Sequence, residues 1–132
     1  SISSPVFRLG NNPNAKDNGV KIEGDFRFVN SGAARADIFQ VGVYGASNRF
    51  EVVNGGKATI DNGGFMVGAY AMATDCSALI EGAGSELCIT NTEYIAVGNG
   101  GPRASLTVDG GRLDVLGSRM VIGSIADAAG CW

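Results

Sequence analysis

The sequence predicts an all-β fold, a right-handed parallel β-solenoid (β-helix) of about 4–5 three-stranded coils. Three observations predict it. A short strand phrase ending in glycine recurs every 25 to 32 residues. A strand-turn-strand phrase lies between its successive copies. A column of charged residues alternates in sign from repeat to repeat, in the register that these phrases define.

The first phrase is apolar, any residue, Val/Leu/Ile, Gly. It reads Phe7-Arg8-Leu9-Gly10, Phe39-Gln40-Val41-Gly42, Phe65-Met66-Val67-Gly68, Ile95-Ala96-Val97-Gly98 and Met120-Val121-Ile122-Gly123. Its glycines are separated by 32, 26, 30 and 25 residues. Within each copy, positions one and three share a face, the period of a strand. The glycine supplies the corner, because it takes positive φ without a Cβ clash. Gly10, Gly42, Gly68, Gly98 and Gly123 are therefore the expected structural corner glycines.

The second phrase is clearest in Leu106-Thr107-Val108-Asp109-Gly110-Gly111-Arg112-Leu113-Asp114-Val115. Its counterpart is Val53-Asn54-Gly55-Gly56-Lys57-Ala58-Thr59-Ile60. Ile80 to Ile89 is a longer copy and Val20 to Phe28 a shorter one. Each reads as strand, polar-Gly turn, strand, so a full repeat holds three short strands and three bends. Length changes fall in the bends, which face solvent.

Equivalence at a fixed period favours a solenoid over a sandwich, whose neighbouring strands need no such likeness. Stacked coils place each strand about 4.8 Å from its counterpart. Phe7, Phe39, Phe65, Ile95 and Met120 then form one inward ladder, and Leu9, Val41, Val67, Val97 and Ile122 the core ladder beside it. Phe26, Ala58, Leu87 and Leu113 form a third, and Phe28, Ile60, Ile89 and Val115 a fourth. The residue before the third ladder is Asp25, Lys57, Glu86 or Arg112, which predicts attraction between adjacent coils at that column. Right-handedness is expected from the general rule for parallel crossovers.

The 132 residues fit one domain, and residues 1–132 are expected to be a single solenoid segment excerpted from a longer array. Gly is abundant at 21 residues, yet 45% of the chain is hydrophobic and the net charge is only −3, so an ordered, turn-rich protein is expected. That charge argues against a nucleic-acid partner, which needs a concentrated basic face. No apolar run approaches the ~20 residues of a membrane-spanning helix, so no transmembrane segment is expected. Cys76, Cys88 and Cys131 fit no zinc spacing, histidine is absent, and the thiols read as semi-buried small side chains. Cys76 and Cys131 fall at one coil position, two coils apart, beyond disulfide reach. Neither a metal nor a cofactor is expected.

The phrases Glu81-Gly82-Ala83-Gly84-Ser85, Tyr94-Ile95-Ala96-Val97-Gly98-Asn99-Gly100-Gly101 and Ser105-Leu106-Thr107-Val108-Asp109-Gly110-Gly111 resemble the Gly-rich repeats of autotransporter passenger domains and related bacterial exported-repeat proteins. The resemblance is best from about Phe50 to Gly123. It implies a β-helix that is secreted or displayed at the bacterial cell surface. It implies no catalytic residue, because such repeats are scaffold.

Few side chains invite chemistry. Glu23, Asn54, Glu81 and Asp109 are expected to stack along one turn edge, where successive carboxylates could share a Ca²⁺. The plainer reading is that Asp, Asn and Glu precede Gly in exposed turns. Tyr44 and Tyr70 follow corner glycines in equivalent loops and could stack on sugar rings, although shielding the loop underside is the commoner role. Tyr44, Tyr70, Glu81 and Asp109 are thus the candidate carbohydrate or cation contacts. A Ser-His-Asp device is excluded by the lack of histidine. The enzymatic rival is a fragment of a β-helix polysaccharide lyase or hydrolase using Glu81, Asp109 and Arg103. The favoured reading is not an enzyme but a structural or adhesive stalk that displays loops. Open solenoid ends leave unpaired strand edges, so flanking repeats or end-to-end self-association are the expected partners. Ser1 to Pro5 is too short to cap such an end.

Overall fold

The computed structural model of the chain describes residues 1–4, 6–32, 39–90, 94–117, 119–123 and 129–132. Among these are 14 strands, numbered in chain order, and no helix. The first wall contains β1 (Ile2–Ser4), β4 (Asp25–Asn30), β7 (Lys57–Asp61), β10 (Glu86–Thr90) and β13 (Arg112–Leu116). The second contains β2 (Phe7–Leu9), β5 (Phe39–Val41), β8 (Phe65–Val67), β11 (Tyr94–Val97) and β14 (Arg119–Ile122). The third contains β3 (Gly19–Ile22), β6 (Arg49–Val52), β9 (Ser77–Glu81) and β12 (Ser105–Asp109).

The chain visits the three walls in order and then repeats, so each strand pairs in parallel with the strand three places later. The result is a parallel β-solenoid of four complete turns and part of a fifth. Every glycine-ended phrase forms a strand of the second wall, in the expected register. Phe7 pairs with Phe39, Phe39 with Phe65, Ile95 with Phe65, and Ile95 with Met120.

Alternation decides which side chains enter the core. Phe39, Phe65 and Ile95 are fully buried, as are Val41, Val67, Phe28, Ile60, Leu87 and Ile89. Burying one such side chain contributes about 1.5–3 kcal/mol. The first coils are packed with aromatic rings. Phe7 stacks on Phe39 with centroids 4.3 Å apart, and Phe28 and Phe50 meet Phe39 edge-on at 5.5 and 5.3 Å. Val20, Phe50, Ala78 and Leu106 complete the interior from the third wall, with Ile22, Val52 and Ile80 beside them.

Two expectations need correction and a third holds in register without close ion pairs. Ile122 keeps the register of the core ladder, but it is 53% exposed, and Met120 is exposed with it. Both lie on β14, the last described strand of its wall. The charged column is real in register, with Asp25 beside Lys57, Lys57 beside Glu86 and Glu86 beside Arg112. Its charges act across coils without close ion pairs: Asp114 on the same strand, and then Glu86 of the preceding coil, raise the Arg112 guanidinium. Arg112 turns along its own strand to Asp114 at 2.7 Å, while the first-wall bridge between coils joins Arg27 to Asp61 at 3.1 Å. In the turn column, Asp109 does lie beside Glu81, but the second-coil residue continuing that register is Val53. Val52, not Val53, pairs with Ile80 and faces inward, which leaves Asn54 as an extra turn residue at φ 54°. Ile2–Ser4, too short for a cap, forms an edge strand of the first wall, with Ile2 in register with Phe28.

Candidate functional site

The corner between the second and third walls carries the longest uninterrupted described loops, 10–18, 42–48, 68–76 and 98–104. Each starts at a corner glycine. Gly10, Gly42, Gly68, Gly98 and Gly123 all have φ between 66° and 76°. The first four also leave room for a side chain of the next coil. A Cβ on Gly10 would strike Asn48, on Gly42 the Cys76 sulfur, on Gly68 the Ala104 methyl, and on Gly98 the Cys131 sulfur. The corner thus needs glycine twice, for its dihedral and for its missing side chain.

The partner residues form a column of their own at the entry to the third wall. Asn18 and Asn48 begin it as a short amide ladder. The Asn48 Oδ1 accepts from the Asn18 amide nitrogen at 3.2 Å and from its Nδ2 at 3.0 Å. The fully buried Asn48 also donates through Nδ2 to the carbonyls of Gly45, Ala15 and Ala46 at 2.7, 3.1 and 3.2 Å. Cys76, Ala104 and Cys131 continue the column. The placement of Cys131 follows from Trp132, whose backbone lies between Ala104 and Leu106 as a parallel strand would. Cys76 and Cys131 are free thiols with Ala104 between them. Burial pushes the Cys76 thiol pKa up, so it stays protonated and packs as a small apolar group. The sequence singled out these cysteines but not their seating against glycine, because the pairing joins residues more than thirty positions apart across coils.

Tyr44 and Tyr70 project from this corner. Their rings stack at 4.9 Å and 10°, with 39% and 45% of the residues left exposed. Backbone bonds to the preceding coil hold the loops. The Tyr44 amide donates to the Gly10 carbonyl at 2.9 Å, and the Ala69 amide donates to the Gly42 carbonyl at 2.9 Å. Met72 adds an exposed thioether to loop 68–76. At the far end of that loop Asp75 meets Arg103 of loop 98–104 through two hydrogen bonds, 2.7 Å from Nε and 2.6 Å from Nη2. This planar pair holds the Asp75 carboxyl below its usual range and raises the Arg103 guanidinium.

Glu81 and Asp109 lie at the opposite end of the third wall, where it turns back to the first. Arg103 precedes β12 and Asp109 ends it, roughly 20 Å apart at 3.3 Å per residue. The structure therefore does not bring Arg103 together with the two acids. At the acid corner Glu23 is engaged by Asn54, whose Nδ2 donates to it at 2.7 Å, and by Lys21 at 3.3 Å, and both hold its carboxyl below the usual range. Ser85, almost fully buried, closes the longer turn by donating to the Glu81 carbonyl at 2.6 Å and accepting from the Gly55 amide at 3.1 Å. Among the described residues, no three Cys, Asp or Glu side chains gather as a metal-binding group.

Comparison with protein-family models, with curated proteins and with solved structures found no match.

Proposed function

We propose that this chain is a stretch of an exported, surface-displayed stalk whose work is structural and adhesive. The stacked walls hold the corner loops at one-strand spacing, and the ends meet other coils. The observation that supports the end-stacking part of this reading is the contrast along the core ladder. Val97 is 1% exposed inside the stack, whereas Ile122, one coil on, is 53% exposed on a strand edge. Met120 on the same strand, Leu116 on the first wall and Trp132 beside the third are also exposed. An apolar edge with free backbone groups is a template for a further parallel strand. The Gly-rich phrases quoted above support the same placement through their resemblance to exported repeats.

Sedimentation velocity over a concentration series tests this. The sedimentation coefficient is expected to rise with concentration, and Ile122→Lys is expected to abolish that rise while leaving the strand signature in circular dichroism. A strictly monomeric species at high concentration would overturn the end-stacking reading.

A further inference from the structure

We propose that Asn54-Gly55 is a site of spontaneous deamidation, and that Ser85 of the next coil sets its rate. The proposal is independent of the stalk reading.

The chemistry needs no enzyme. Asparagine is among the thermally labile residues, and a following glycine, lacking a Cβ, lets its own amide nitrogen reach the side chain. Hydroxide takes the Gly55 amide proton, and the nitrogen attacks the Asn54 Cγ. A five-membered succinimide forms as the side-chain nitrogen takes a proton from water and leaves as ammonia. A second water opens the ring at either carbonyl, giving aspartate or isoaspartate.

The sequence holds four Asn-Gly pairs, Asn18-Gly19, Asn54-Gly55, Asn62-Gly63 and Asn99-Gly100. The fold treats them differently. Gly63 and Gly100 are buried, away from base and water, and the Gly100 amide also donates to the Gly68 carbonyl at 3.3 Å. Asn18 is exposed but held on three sides. Its amide and its Nδ2 both donate to the Asn48 Oδ1, at 3.2 and 3.0 Å, and its carbonyl accepts from the Arg49 amide at 2.8 Å. Asn54 and Gly55 are both exposed, in the turn between β6 and β7, with φ of 54° and 79°. Each reacting group there has a single partner. The Asn54 Nδ2 donates to Glu23 at 2.7 Å, and the Gly55 amide donates to the Ser85 Oγ at 3.1 Å.

These two contacts are unequal restraints. Glu23 is exposed on the preceding coil, so water competes for its contact. Ser85 is 1% exposed and is anchored by donating to the Glu81 carbonyl at 2.6 Å. Its oxygen therefore stays on the N–H that must lose its proton, and that bond has to open before the nitrogen can attack. The product alters the junction between the two coils. A carboxylate replaces the amide that donates to Glu23, so two negative charges face each other. Isoaspartate also lengthens the turn backbone just before Gly56, where the Ile22 carbonyl oxygen leaves no room even for a Cβ.

The test is incubation of the folded chain in mildly alkaline buffer, with a urea-unfolded sample alongside, and peptide mapping by mass spectrometry over time. In the folded chain Asn54 is expected to convert faster than Asn18, Asn62 and Asn99, and in urea the four rates are expected to converge. Ser85→Ala is expected to speed conversion at Asn54 by roughly two- to tenfold, the worth of one net hydrogen bond, and to leave the other three unchanged. Conversion at Asn54 no faster than at the other three in the folded wild-type chain overturns the site, whether or not the variant folds. An unchanged rate at Asn54 in Ser85→Ala, or equal acceleration at all four pairs, overturns the role given to Ser85.

Discussion

At Gly42 a φ of 76° coincides with the Cys76 sulfur lying where a Cβ would be. Alanine there would carry two costs. The left-handed dihedral costs about 1–2 kcal/mol, and forcing a methyl into a filled space costs about 1–3 kcal/mol. Gly42→Ala is therefore expected to destabilise the fold by about 2–5 kcal/mol in urea denaturation. Only the second cost depends on the sulfur. Adding Cys76→Ala should recover part of the loss, with a coupling of about 1 kcal/mol in the double-mutant cycle. Strict additivity would show that the dihedral alone demands the glycine.

At the scale of an element, Asn48 joins the loop before β3 to the loop before β6. Its amide satisfies three carbonyls, its oxygen receives two donors from the exposed Asn18, and Asn48 itself is fully buried. Asn48→Ala would strand several of these groups at about 1–3 kcal/mol for each one left unpaired. A total loss of about 3 kcal/mol is expected. Amide hydrogen exchange should show where it falls: loop 10–18 exchanges faster, while β10, on the first wall and two coils from that loop, stays protected. Uniform loss of protection would mean that the loop and the walls unfold as one unit.

Across the whole molecule, stability is close to a sum over neighbouring coils. Position in the stack, not residue type, then sets the cost of a change. Val97 and Ile122 occupy the same ladder one coil apart, yet their exposures are 1% and 53%. Val97→Asp would bury an unpaired charge and is expected to cost more than about 4 kcal/mol, enough to unfold the segment. Ile122→Asp should cost less than about 1 kcal/mol in the monomer. Thermal melts of both variants at low concentration check this. A folded Val97→Asp protein would contradict the inward assignment of the ladder.

The wall order, the parallel register of all five glycine-ended strands and the inward ladders were legible in the residues. A period-two strand stacked on its own repeat leaves one register that keeps every apolar residue inside. Val52 against Val53 was not legible, because two adjacent valines before a turn satisfy the pattern equally well until β9 selects one of them. Nor were the asparagine ladder and the seating of Cys76 on Gly42, which join residues of different coils that share no motif. The candidate site divides in the same way. Equivalent loop positions for Tyr44 and Tyr70 could be counted along the chain, but their stacking, and the separation of Arg103 from Glu81 and Asp109, could not. Repetition writes the periodic part of a solenoid into the sequence, since every coil must repeat the same inward pattern. The corners carry no such constraint: turn length, side-chain direction and contacts between coils depend on what the next coil happens to place there, and only the folded stack decides that.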